Sequence, residues 1–137
     1  MRRLRSQSGF TIIEITVVVL ILGLLVTLVA PRIMGQMIKD KRTKAGGDVA
    51  GIAEALHLFK ADHGFYPSTV DGLQALTQPG KPPNGSPDGY LSSVPVDPWG
   101  NAYAYFTDGS RFLVKSYGAD GREGGEGENA DVVREAS

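Results

Sequence analysis

The polar and apolar positions divide the chain into three stretches of different periodicity. From Phe10 to Ala30 the sequence reads FTIIEITVVVLILGLLVTLVA, 21 residues with one ionisable group. That is the length of a helix able to cross a bilayer core, and it is apolar on every side. A core helix is the first alternative, but a domain of roughly a hundred further residues cannot easily surround such a helix. A cleaved secretory signal is the second, but Pro31-Arg32-Ile33 follows the run and no small-x-small cleavage site does. We read the segment as membrane-spanning.

Beyond Pro31 the pattern becomes amphipathic. Val49, Ile52, Ala53, Leu56 and Phe59 recur at helical spacing, so a continuing helix presents one apolar stripe, with Gly64 as its stop. Gly35, Gly46 and Gly47 each weaken that helix by roughly 1 kcal/mol relative to alanine. Ser68 with Asp71 three residues on reads as a capping box for a short helix carrying Leu73, Ala75 and Leu76. Residues 78 to 89, QPGKPPNGSPDG, are almost all turn formers and form a surface loop. Pro95 to Asn101 is a proline-bounded turn carrying the only tryptophan. Residues 102–106 and 111–116 alternate about Thr107-Asp108-Gly109-Ser110 as a hairpin. The expected class is α+β, a long N-terminal helix packed on a small antiparallel sheet.

Composition narrows the chemistry. A chain of 137 residues holds one domain besides the apolar segment, and a net charge of −1 disfavours nucleic-acid binding through bulk charge. The charges are segregated, however. Arg2, Arg3 and Arg5 precede the apolar run with no acid among them, which orients the N-terminus to the cytoplasm and sends the rest across the membrane. Cysteine is absent, so disulfides, thiolate metal sites and thiol catalysis are all excluded. The two histidines, His57 and His63, have no matching ligand pattern and read as surface residues. Trp99 and Tyr103 read as core. No phosphate-binding glycine loop and no nucleophile motif occurs, so nothing points to an enzyme.

Glu14 is the one charge in the apolar run. A carboxylate at membrane depth costs about 2.5 to 3.5 kcal/mol, so it needs a partner. Its own span offers no base. Another chain, or an α-amino group created by cleavage between Gly9 and Phe10, would supply the cation.

Ser8-Gly9-Phe10-Thr11-Ile12-Ile13-Glu14, after a short basic leader, resembles the class III signal of type IV pilins and pseudopilins. Further along, Gly72-Leu73-Gln74-Ala75-Leu76, then Asp97-Pro98-Trp99-Gly100-Asn101 with Tyr103, then Ser116-Tyr117-Gly118-Ala119-Asp120-Gly121 resemble the major pseudopilins of type II secretion systems. The resemblance implies a leader of residues 1–9, a filament-core helix over residues 10–31 and a periplasmic domain over residues 32–137. It also implies cleavage after Gly9 by a prepilin peptidase, methylation of Phe10, and a role for Glu14 in assembly. Pro31 stands where the family often ends or bends its spanning helix. The implied function is a subunit of a homo-oligomeric helical filament that drives export of folded proteins. Its partners would be minor pseudopilins and the inner-membrane assembly platform. A type IV pilin for adhesion or motility is the alternative.

Asp120 to Asp131 packs acids and glycines into twelve residues. Asp120, Gly125 and Asp131 match positions 1, 6 and 12 of an EF-hand loop, but Arg122 and Gly124 at positions 3 and 5 do not. Composition alone leaves two readings, a disordered acidic tail or a hard-cation site. The resemblance implies the second, with calcium held by the carbonyl of Tyr117, the carboxylate of Asp120, the carbonyl of Arg122 and the carboxylate of Asp131. Asn129, Glu126 or Glu128 would complete the set.

Overall fold

The computed structural model describes residues 9–78 and 88–136. The basic leader, up to Ser8, and most of the proline- and glycine-rich stretch fall outside the described residues. The chain divides into two units, Met1–Met37 and Ile38–Ser137.

In the first unit the described residues are almost entirely helical. Helix α1 begins at Ile12 and continues to His63, and Pro31 lies within it. The resemblance allowed for an end at Pro31, and the helix does not end there. Proline removes one backbone donor, a loss that a long helix with intact turns on both sides can absorb. Every residue from Gly9 to Met37 is exposed.

In the second unit α1 becomes one-sided, as its spacing predicts. Ala45, Val49, Ile52, Ala53, Ala55 and Leu56 are buried, and Phe59 packs against them half-buried. The helix closes where expected, with the Gly64 N–H donating to the Lys60 carbonyl at 2.7 Å. Its stripe meets Tyr66, Leu73, Leu76, Tyr103, Tyr105, Phe112 and Val114 in one core. Full burial of each large apolar side chain there contributes about 1.5 to 3 kcal/mol.

The short element after the turn is a 3-10 helix, Gly72–Thr77. Ser68 is not the N-cap expected of it but brackets the turn before the helix: its Oγ accepts the Asp71 N–H at 3.1 Å and donates to the Asp71 carboxylate at 2.6 Å, while Asp71 itself directly precedes the helix and caps it with no side-chain bond. Leu73 and Leu76, three apart, are both buried. A 3-10 turn aligns that spacing on one face.

The expected hairpin is present as β1 (Ala104–Thr107) and β2 (Phe112–Ser116), paired antiparallel with Tyr105 opposite Val114. A third strand, β3 (Val132–Ala136), pairs antiparallel with β2, placing Val132 opposite Ser116. The sequence reading missed β3. Its signal was the β-branched pair Val132-Val133, masked by the acids around it.

Asp108 sets the hairpin turn by accepting the Arg111 N–H at 2.8 Å and the Ser110 N–H and hydroxyl at 2.9 Å. The Arg111 backbone bond first, then those from Ser110, hold its carboxyl below the usual carboxylate range. A depressed folded pKa contributes stability above the unfolded value of about 3.9, lost as pH falls through the folded value. An Asp108→Ala chain should therefore lose less stability than the parent when acidified from about pH 5 to pH 2, as read by thermal unfolding at each pH.

Candidate functional site

Two regions carry the chemistry singled out in the sequence. At the start of α1, Gly9 and Phe10 lie outside the helix and are exposed. Thr11 and Glu14 then form a reciprocal cap. The Glu14 carboxylate accepts the Thr11 N–H at 2.8 Å and the Thr11 hydroxyl at 3.2 Å, while Thr11 Oγ1 accepts the Glu14 N–H at 3.2 Å. A threonine followed three residues later by glutamate is the capping-box pattern, and it was legible in the sequence but not read there. Glu14 thus has hydrogen-bond donors within its own span, although no base is there. The cap supplies donors to the carboxylate but no opposite charge, so the electrostatic part of the cost would persist were this position placed at membrane depth.

The second region is the acidic segment. It is not a tail: it connects β2 to β3, so both ends are fixed by strand pairing. Entry is set by a buried carboxylate. Asp97 Oδ1 accepts the Trp99 N–H at 3.1 Å and the Asn101 N–H at 2.7 Å, and Asp97 Oδ2 accepts the Ser116 hydroxyl at 2.7 Å. Ser116 Oγ in turn accepts the Gly118 N–H at 3.2 Å. The proline-bounded turn thus holds the first residues of the loop, including Tyr117. Trp99, expected in the core, is half-buried and donates its indole N–H to Glu128 at 3.1 Å. Tyr103 is in the core as expected, and its hydroxyl donates to Asp48 at 2.8 Å. Burial first, then that bond to a carboxylate, pushes the Tyr103 phenol up.

Inside the loop the chain folds back on Asn129. The Ala119 N–H donates to the Glu128 carbonyl at 3.0 Å, and Gly127–Asn129 forms a 3-10 turn. A Cβ on Gly118 would lie 2.8 Å from the Asn129 carbonyl, and one on Gly125 would meet the same oxygen at 2.8 Å. Both also have positive φ, so only glycine fits this approach.

The acids are not equivalent. Glu123 pairs with buried Lys115 at 2.6 Å, an interaction that lowers the glutamate's pKa and raises the lysine's. Glu128 is taken by Trp99 and lies 3.8 Å from the Lys41 ammonium. Asp120 Oδ1 accepts the Arg122 N–H at 3.1 Å. Asp131 differs from all of these, because its Oδ1 is buried and has no hydrogen-bond partner among the protein atoms. A buried carboxylate oxygen left without a donor is costly unless something outside the polypeptide meets it.

Among the described residues, no three His, Cys, Asp or Glu side chains converge to hold a metal. The set implied by the resemblance is composed differently, since backbone carbonyls supply part of it. The histidines stay outside any such site. His57 Nδ1 is 3.1 Å from the Tyr66 hydroxyl, and His63 stacks on Phe59.

Known proteins match these features at both ends. Residues 32–135 match the family model of type II secretion system protein G, and residues 4–30 match the prokaryotic N-terminal methylation motif. The chain is 50% identical to the type II secretion system core protein G of Pseudomonas aeruginosa, over 93% of this chain and 94% of the relative. The namesake protein of Vibrio cholerae is 42% identical, over 96% and 94% of the two chains. Among solved structures, the major pseudopilin from the type 2 secretion system of enterohaemorrhagic Escherichia coli matches with a TM-score of 0.59 and 31% identity. That match covers 73% of this chain and 90% of that one. These matches decide against the type IV pilin alternative: the chain belongs to the type II secretion system core protein G family, the major pseudopilins.

Proposed function

We propose that the chain is made as a membrane-held precursor, cut after Gly9 by a prepilin peptidase, methylated on Phe10, and built into a periplasmic helical filament that helps drive folded proteins across the outer membrane. The observation that carries this reading is the exposure of every residue from Gly9 to Met37, with Glu14 the one charge between Phe10 and Ala30. An apolar surface of that length needs lipid before assembly and like helices afterwards. Lateral packing of these helices exchanges one apolar surrounding for another, so extraction need not pass through water. The arginines of the leader favour a cytoplasmic N-terminus, which places the domain after residue 31 in the periplasm. Minor pseudopilins and the inner-membrane assembly platform are the further partners of this reading.

Glu14 sets the axial register by pairing with the Phe10 amine of an adjacent subunit. The cap from Thr11 holds the carboxylate near the helix start, and the neighbour's ammonium supplies the missing positive charge. Glu14→Ala should insert into the membrane as well as the parent or better, since about 2.5 to 3.5 kcal/mol of insertion cost is removed. Filament assembly should be lost. Sheared-filament yield beside membrane-fraction yield reads the two effects separately, and normal filaments from this variant would refute the pairing.

The loop between β2 and β3 fits a hard cation, because Asp131 brings a buried, partnerless oxygen to a glycine-rich turn. We assign calcium there, held by the carbonyls of Tyr117 and Arg122, the carboxylates of Asp120 and Asp131, and Asn129. Glu128 is committed to Trp99 and is left out of the set. A bound divalent cation would neutralise the acids and act as a staple in a chain without cysteine.

A further inference from the structure

One side chain from α1 reaches the acidic loop in a way the calcium assignment does not use. Arg42 Nη1 donates to the Gly127 carbonyl at 3.0 Å and to the Ala130 carbonyl at 2.8 Å. These carbonyls bracket Asn129, and Asp131 follows at once, so the guanidinium grips the part of the loop that holds two of the assigned ligands. The 3-10 turn Gly127–Asn129 has no side-chain cap of its own. Its own backbone bonds are the Asn129 and Ala130 N–H groups to Glu126 and Gly127, at 3.1 and 3.3 Å.

We propose that Arg42 is a positioning residue for the calcium loop: by holding the Gly127 and Ala130 carbonyls it keeps Asn129 and Asp131 in place before the cation arrives. This rests on the calcium assignment above. The physical reason is ordering. A glycine-rich loop loses much backbone freedom on closing around an ion, and a tether that has already fixed its last turn removes part of that loss from the binding step. Arginine suits the task because its charge is permanent and its donors have fixed geometry, and donation to two carbonyls leaves the acids free for the ion. The opposing effect is repulsion between guanidinium and cation. It is weakened because the two carbonyls face the positive charge, while water screens what remains.

The test is calcium titration of the full chain in detergent micelles, by calorimetry, together with thermal unfolding in calcium and in chelator. Arg42→Ala should weaken calcium binding by about tenfold or more, the range seen when supporting residues of a metal site are removed. Its calcium-dependent rise in melting temperature should shrink. Arg42→Lys, which keeps a cationic donor, should recover part of the affinity. Arg42→Gln reads the same quantity should the alanine variant not fold. An Arg42→Ala chain that binds calcium with parental or higher affinity overturns the proposal, as does a melting temperature lowered equally in calcium and in chelator. Absence of calcium binding by the parent chain overturns the calcium assignment itself, and this proposal with it.

Discussion

The intact mass of the mature chain is expected to fall by residues 1–9 and to rise by one methyl group. The Gly9-Phe10 junction lies between an arginine-bearing leader and the apolar run, which in the proposed scheme would put the scissile bond at the cytoplasmic face of the membrane. Gly9 and Phe10 are exposed and precede the first helical residue, Ile12, so the junction lies outside the helix. A bulky replacement of Gly9 should leave the full-length precursor in the membrane fraction, with no processed chain and no filament. The outcome should be close to all-or-none, because an uncut chain keeps its basic leader and never exposes the Phe10 amine that the proposed pairing with Glu14 requires. An N-terminus beginning near Pro31 would instead mean an ordinary signal peptide and would overturn the processing scheme.

Removing calcium is expected to have the largest effect on stability. A ligand that binds the folded state alone adds about 2.7 kcal/mol when its free concentration is a hundredfold above the dissociation constant. For a unit the size of Ile38–Ser137 that corresponds to roughly 10 to 20 °C in melting temperature. The full chain in detergent should therefore melt markedly higher in calcium than in chelator. Asp120→Ala and Asp131→Ala should each abolish the difference. Glu135→Ala should not, because Glu135 lies on β3 opposite Leu113, outside the loop. Zinc should not substitute, for want of cysteine or clustered histidine, and magnesium demands a stricter octahedron than a long glycine-rich loop supplies. A parent chain that melts at the same temperature in both conditions would refute the metal assignment.

The family was legible in the sequence because its signals are local. The Gly9-Phe10-Glu14 register, the uniform apolar run and the stripe from Val49 to Phe59 each depend on spacing along one helix, and spacing survives folding unchanged. The hairpin around Asp108 was legible for the same reason, since turn residues and alternation are written in consecutive positions. Thr11 and Glu14 were equally local and were still passed over. Read as a charge, Glu14 needs a cation; its capping role needs only N–H and O–H donors, which the Thr11 spacing supplies.

What tertiary structure decided lies where residues far apart in the chain meet. No spacing rule links Asp97 to Ser116, Trp99 to Glu128, or Arg42 to carbonyls more than eighty residues away. The acidic loop illustrates the difference most fully. Its acids and glycines, read alone, describe an unfolded tail as well as an ion site, because mutual repulsion and glycine entropy oppose order. The pairing of β3 with β2 closes both ends of the segment and converts its glycines from sources of disorder into the residues that permit close backbone approach around Asn129. The sequence by itself determined the apolar N-terminal helix and the core stripe. Which acids are spoken for and which oxygen is left waiting, Asp131 Oδ1, was decided only when strand pairing brought distant side chains together, since a carboxylate's role depends on the donors that folding places beside it.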